Sequence, residues 1–124
     1  MITNPIEISE IIKSILKKYV PPLKIRKDSA TAFEVWGTKE TMLGKKKVDG
    51  IYFATLVPKP KDARFYFFPI YTNPKIFDNM SANLRKFLKG KTCFHIKYLD
   101  KDLEKDIRQM IKNGITIFKK CKMI

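Results

Sequence analysis

Between residues 31 and 72 the chain carries three runs dense in aromatic and β-branched side chains: 31–37 (TAFEVWG), 49–58 (DGIYFATLVP) and 64–72 (RFYFFPIYT). Runs of this composition bounded by turn-forming residues commit the middle of the chain to β structure. The gaps hold Gly44-Lys45-Lys46-Lys47 and Pro58-Lys59-Pro60-Lys61-Asp62. With these turn-forming segments between them, the three runs predict an antiparallel meander. In the second and third runs apolar residues occupy both parities: Ile51, Phe53 and Val57 interleave with Tyr52, Ala54 and Leu56, and Phe65 and Phe67 with Tyr66, Phe68 and Ile70. A strand with one wet face alternates polar and apolar residues. These two strands are therefore expected to be covered on both faces, by helices on one side and by a partner, loop or ligand on the other.

Helical periodicity flanks the meander. Asn4-Pro5-Ile6-Glu7 has the form of a helix start, with Asn4 as cap, Pro5 in the first turn and Glu7 completing a capping box. Ile8, Ile11, Ile12, Ile15, Leu16 and Tyr19 follow at helical spacing until Pro21-Pro22, which predicts a first helix over 5–19. Ser81 caps a short helix carrying Leu84, Phe87 and Leu88, with Gly90 as its stop, and residues 92–99 (TCFHIKYL) read as a fourth strand. Asp100 opens a last helix that places Leu103, Ile107, Met110, Ile111, Gly114, Ile117 and Phe118 on one face. The order αβββαβα predicts an α+β fold: an antiparallel sheet of about four strands with helices packed on one face. With 124 residues, no internal repeat and no linker, residues 1–124 are expected to form a single domain.

The charge is the compositional anomaly. Lys and Arg number 26 against 12 Asp and Glu, giving +14. Such an excess suits a polyanion partner, since clustered cations neutralise phosphates and release counterions. The split is 22 Lys to 4 Arg (Arg26, Arg64, Arg85, Arg108), whereas bidentate base readout favours the Arg fork and a Lys excess can also come from codon usage, so the composition does not support sequence-specific readout. Glu7 and Glu10 interrupt any secretory signal, and no apolar run reaches the roughly 20 residues of a membrane span, so a cytoplasmic protein without membrane contact is expected. Cys93 and Cys121 are then expected as reduced thiols.

The most coherent charge pattern lies on the last helix. Lys101, Lys105, Arg108, Lys112 and Lys119 fall within about 60° of one another at 100° per residue, opposite the apolar face. The stripe is a candidate polyanion surface, or simply the solvated face of an amphipathic helix. Cys93 and His95 project from one face of the fourth strand, which could serve a thiol-dependent enzyme or ordinary packing; a nucleophile pair would also need an orienting third group. His95 and Asp100 are weak candidates for metal ligands, and the usual ligand spacings are absent. Trp36, Tyr52, Tyr66, Phe68 and Tyr71, interleaved with lysines, could stack bases or an apolar ligand, or belong to the core. With no phosphate-cradling loop, nucleophile elbow, HExxH or CxxC pattern, a non-enzymatic binding or adaptor module is expected. The sheet face could also support homodimerisation.

Residues 83–115 resemble the YdhG-like family of small bacterial domains, largely of unknown function. The resemblance is carried by Leu84-Arg85-Lys86-Phe87-Leu88-Lys89-Gly90-Lys91, then Cys93-Phe94-His95-Ile96-Lys97, then a helix opened by acids. It implies a frataxin-like α+β fold and, from some members, an intracellular iron chaperone, so iron enters as a cofactor only through the family. Frataxin-type iron binding uses an acidic ridge centred on the first helix. Here that helix offers Glu7 and Glu10 against Lys13, Lys17 and Lys18. A similar fold occurs in YjbR-like proteins suspected of binding DNA, an analogy the charge fits better.

Overall fold

A helix begins at Pro5 because Asn4 turns its side chain onto the free backbone donors: its Oδ1 accepts from the N–H of Ile6 at 2.9 Å and of Glu7 at 3.2 Å. This helix, α1 (Pro5–Lys17), buries Ile8, Ile12, Ile15 and Leu16. The computed structural model describes residues 1–39, 41–43, 45–48, 50–122 and 124, and the side chains of all these except residues 41–43, 46, 48 and 76. The strands that follow are β1 (Lys24–Asp28), β2 (Phe33–Trp36), β3 (Thr41–Leu43), β4 (Lys46–Val48), β5 (Tyr52–Pro58) and β6 (Ala63–Phe67). After them come α2 (Pro69–Thr72), a 3-10 turn (Pro74–Phe77), α3 (Ala82–Arg85), β7 (Leu88–Lys89), β8 (Cys93–Ile96) and α4 (Lys101–Lys120). Asp100 caps α4, its Oδ1 accepting from the Leu103 N–H at 2.8 Å.

The fold is α+β, with an antiparallel sheet of six strands in the order β1-β2-β5-β6-β8-β7, and β3-β4 forming a separate hairpin. The expected four strands are thus corrected to six, and the order αβββαβα gains elements. Residues 24–28 (KIRKD) form an edge strand whose charges carry no β signal because an edge is protected from further pairing by just such residues. The third run ends at Phe67 rather than residue 72: Pro69 enters the first turn of α2, where its missing N–H costs nothing. The short helix stops at Arg85, not Gly90, because Phe87 and Leu88 leave it to pair with β8. The Phe87 carbonyl accepts from the His95 N–H at 2.8 Å, and Gly90, at φ 76°, turns the β7-β8 hairpin. The lysine-rich gap after residue 37 folds as β3-β4, while Gly44 of the expected turn and Asp49 of the expected second strand lie outside the described residues.

The double parity of β5 is a bulge. Val35 pairs with Ala54 and Trp36 with Tyr52, so Phe53 is the extra residue. Phe53 and Ala54 are both fully buried, while Tyr52 turns to the other face beside Trp36. One sheet face, with Phe33, Val35, Phe53, Ala54, Leu56, Phe65, Phe67, Phe94 and Ile96, forms the core with α1 and α4. Helix α4 sits low on this face. A Cβ at Gly114 would meet Phe67 Cζ at 2.6 Å and Phe53 Cζ at 3.2 Å, and Phe118 lies edge-on to Phe53 at 5.0 Å. No described helix lies on the opposite face, where Glu34, Trp36, Tyr52, Thr55, Val57, Arg64, Tyr66, Cys93 and His95 are all half-buried. The bulge puts the neighbouring apolar residues Phe53 and Ala54 of β5 inside together, and the helical cover lies on that one face. No described helix is long and apolar enough to cross a membrane.

Candidate functional site

The charges of α4 are placed by the same periodicity that buries its other face. Lys101, Lys105, Lys112 and Lys119 are exposed and Arg108 is partly so, and the helix distributes them over about 27 Å at 1.5 Å per residue. Packing against α1 then divides the stripe. Lys105, Arg108 and Lys112 line one groove with Gln109 and with Ile15, Lys18 and Tyr19 from the end of α1; it encloses about 240 Å³. Lys101 lies instead in a neighbouring hollow with Met1, Ile2, Ile11, Leu99, Asp100 and Glu104. Lys119 sits a further two turns along α4, beyond the groove lining.

Lys18 is the groove residue that sequence reasoning missed as part of a site. It follows Ile15 by three positions at the margin of the apolar stripe, which is the only sequence signal for its facing α4. Arg108 is held by Glu104 at 3.5 Å, one turn earlier on the same helix. Exposed pairs of this kind contribute about 0.3–0.5 kcal/mol, so a phosphate can displace the carboxylate at little cost. The groove floor is apolar (Ile15, the Tyr19 ring) and its rim carries four cations on two elements. That arrangement suits an anion whose charged groups meet the rim while a less polar portion rests below.

Cys93 and His95 do share the helix-free face of β8. A third group stands beside them: Asp62, at the end of the β5-β6 turn and nearly buried, faces His95 Nδ1 across 3.8 Å and accepts from Arg64 Nε at 3.1 Å. Asp62 was legible only as a turn residue in a Pro- and Lys-rich segment. Burial pushes the Cys93 thiol above its ordinary pKa, against the opposing hydrogen bond from Tyr66 and the charge of Arg64. The thiol therefore stays protonated near neutral pH, whereas nucleophilic attack requires the thiolate. Both cysteines are free thiols, Cys121 being exposed at the end of α4. With a limiting aromatic disulfide reagent at pH 8, Cys121 should react first and Cys93 at least tenfold more slowly; equal rates would show that the burial of Cys93 does not protect it.

Asp100 caps α4 and is on a different element from His95, so the two weak metal candidates are not brought together by any recorded contact. Among the described residues no three His, Cys, Asp or Glu side chains are grouped so as to hold a metal ion. Glu7 and Glu10 of α1 are exposed among Lys13, Lys17 and Lys18.

Of the aromatic set, Trp36, Tyr52, Phe68 and Tyr71 form a continuous row that starts on the helix-free face of the sheet and ends on α2, with ring centroids 5.5, 5.9 and 5.6 Å apart. Tyr66 stands apart from the row, beside Cys93 in the β6-β8 register. Burial pushes the Tyr52 phenol up to about 12, so that ring stays uncharged at any ordinary pH.

No family model matches this chain, and no curated protein or solved structure matches it significantly.

Proposed function

We propose that the chain is a cytoplasmic, non-enzymatic binding module of YdhG-like type with a frataxin-like arrangement, and that its α1-α4 groove binds the phosphates of a nucleic acid or similar polyanion. The observation that carries this reading is the convergence of Lys18 with Lys105, Arg108 and Lys112 on one groove. A merely solvated helix face needs no partner helix, whereas an anion site gains from cations on two elements. Layering of α1 and α4 on one side of an antiparallel sheet supports the frataxin-like part of the reading, and the net charge of +14 supports the polyanion part.

The lysines of the rim are point charges on long stems that suit phosphate oxygens rather than base edges, so binding is expected to follow charge density rather than base sequence. The test is fluorescence anisotropy with a labelled DNA duplex at 50 mM salt. Two duplexes of unrelated sequence should bind with similar affinity, and the combined Lys105→Gln, Arg108→Gln, Lys112→Gln variant should bind either of them at least tenfold more weakly. All three positions are at least partly exposed, so the variant is expected to fold. Unchanged affinity in that variant would remove the groove from the reading.

A further inference from the structure

The face of the sheet turned away from the helices carries a second surface with different chemistry. The row Trp36, Tyr52, Phe68, Tyr71 runs across β2, β5, the end of β6 and α2. Each end of the row is closed by a cation. The Arg26 guanidinium lies 4.1 Å from the centre of the Trp36 ring, and Lys91 Nζ, in the β7-β8 turn, lies 5.6 Å from that of Tyr71. Arg26, Lys91 and Tyr71 are exposed, Tyr71 by 56%. Among the described residues two acids reach this face, and both are engaged within it: Glu34 accepts from the Trp36 indole N–H at 2.5 Å, and Asp62 accepts from Arg64. β1 adds Lys24 and Lys27, opposite Trp36 and Glu34 in the register.

We propose that this face binds single-stranded nucleic acid, stacking unpaired bases along the aromatic row while Arg26 and Lys91 meet the phosphates at its ends. A row of rings can take bases only when they are splayed out of a duplex, which selects a single strand. An open antiparallel sheet with stacking aromatics takes about two or three bases, consistent with a row of four rings in which Phe68 and Tyr71 already lie nearly parallel at 28°. At the other end a base can stack on the guanidinium plane of Arg26 as it would on a ring. The positive charge at both ends complements the backbone that connects the bases, which an uncharged aromatic ligand or an apolar partner would not require. The proposal does not rest on the α1-α4 groove, which lies in the helical layer on the other side of the sheet.

Trp36 is the single tryptophan of the chain, so tryptophan emission, excited selectively beyond the tyrosine absorption band, reports on this face alone. Titration with a twelve-residue oligothymidylate at 50 mM salt should quench Trp36 to saturation, and polyphosphate at the same phosphate concentration should not. Tyr71→Ala, at an exposed ring, should weaken the oligonucleotide affinity about tenfold or more, and Lys91→Gln should make its salt dependence shallower by about one unit of slope. Quenching should persist in the Lys105→Gln, Arg108→Gln, Lys112→Gln variant, which separates this surface from the groove. Absence of quenching, equal quenching by polyphosphate, or full affinity in a Tyr71→Ala variant with wild-type circular dichroism would each overturn the proposal. So would a change in Trp36 emission with protein concentration alone, accompanied by a doubled sedimentation mass, because the face would then be occupied by a second copy.

Discussion

Phe118→Ala is expected to cost about 3–5 kcal/mol, the range for deleting a fully buried aromatic ring from a core that cannot collapse around the gap. The ring is wholly inaccessible and lies edge-on to Phe53 at 5.0 Å, one turn after Gly114, where the helix approaches the sheet too closely for a Cβ. Neither Phe53 nor Phe67 can move into the space easily, since each also packs edge-on against the other at 5.4 Å. A domain of this size holds only about 5–15 kcal/mol in total, so the loss takes up about a fifth or more of it. The melting temperature should fall by roughly 9–25 °C, taking about 3–5 °C per kcal/mol for a chain between the small and medium size classes. Ile6, 63% exposed on the same layer, serves as the control, and Ile6→Ala should change stability by no more than about 0.5 kcal/mol. Thermal unfolding followed by far-UV circular dichroism measures both. A Phe118→Ala cost below about 1 kcal/mol would mean that α4 does not pack on the Phe53-Phe67 pair as described.

That sensitivity follows from features legible in the residues themselves. The apolar face of α4 could be read at every buried position but Ile115 because a 20-residue helix averages its periodicity over more than five turns. The same holds for α1, whose cap and buried residues were also readable. Strands β5, β6 and β8 were readable in kind because aromatic and β-branched residues dominate them. The faces of β5 were not, since a bulge at Phe53 shifts parity by one residue and leaves no trace in composition, whereas Cys93 and His95 of β8 share a face as their spacing requires. β1 was hidden for the opposite reason. KIRKD is charged because it lies at the sheet edge, and its strand character comes from pairing with β2 rather than from its own side chains. β7 has only two residues and exists because Phe87 and Leu88 find β8.

The candidate surfaces divide in the same way. Angles along one helix bring Lys105, Arg108 and Lys112 together, so these could be named from spacing alone. Lys18 joins them only through the packing of α1 on α4. The aromatic set could be named by residue type, but its order could not. Tyr66 drops out because it points to the Cys93 side, and Arg26 and Lys91 enter from a bulged edge strand and a two-residue hairpin that sequence patterns do not reveal. Asp62 is a further case. A carboxylate in a lysine-rich turn reads as solubility chemistry, yet here it is nearly buried between Arg64 and His95.

The groove reading makes its largest quantitative demand on salt. Each phosphate neutralised by Lys or Arg contributes about 0.9 to the slope of log affinity against log salt for duplex DNA. If Lys105, Arg108 and Lys112 each contact one phosphate, changing all three to Gln makes that slope shallower by roughly 3. Between 50 and 200 mM salt the wild-type chain should then lose roughly 40-fold more affinity than the variant does. The comparison isolates the groove, because the other cations of the chain are common to both proteins and cancel from the difference. Lys101 and Lys119 sharpen the point, since they belong to the same helical stripe but lie outside the groove. Changing those two to Gln should leave the slope within about half a unit of wild type, whereas a general effect of lowered net charge would shift it as much as any other pair of lysines. Anisotropy titrations at four salt concentrations distinguish the outcomes: a slope that responds to Lys105, Arg108 and Lys112 but not to Lys101 and Lys119 requires a local site, and equal responses would reduce the groove to one part of a diffuse positive surface.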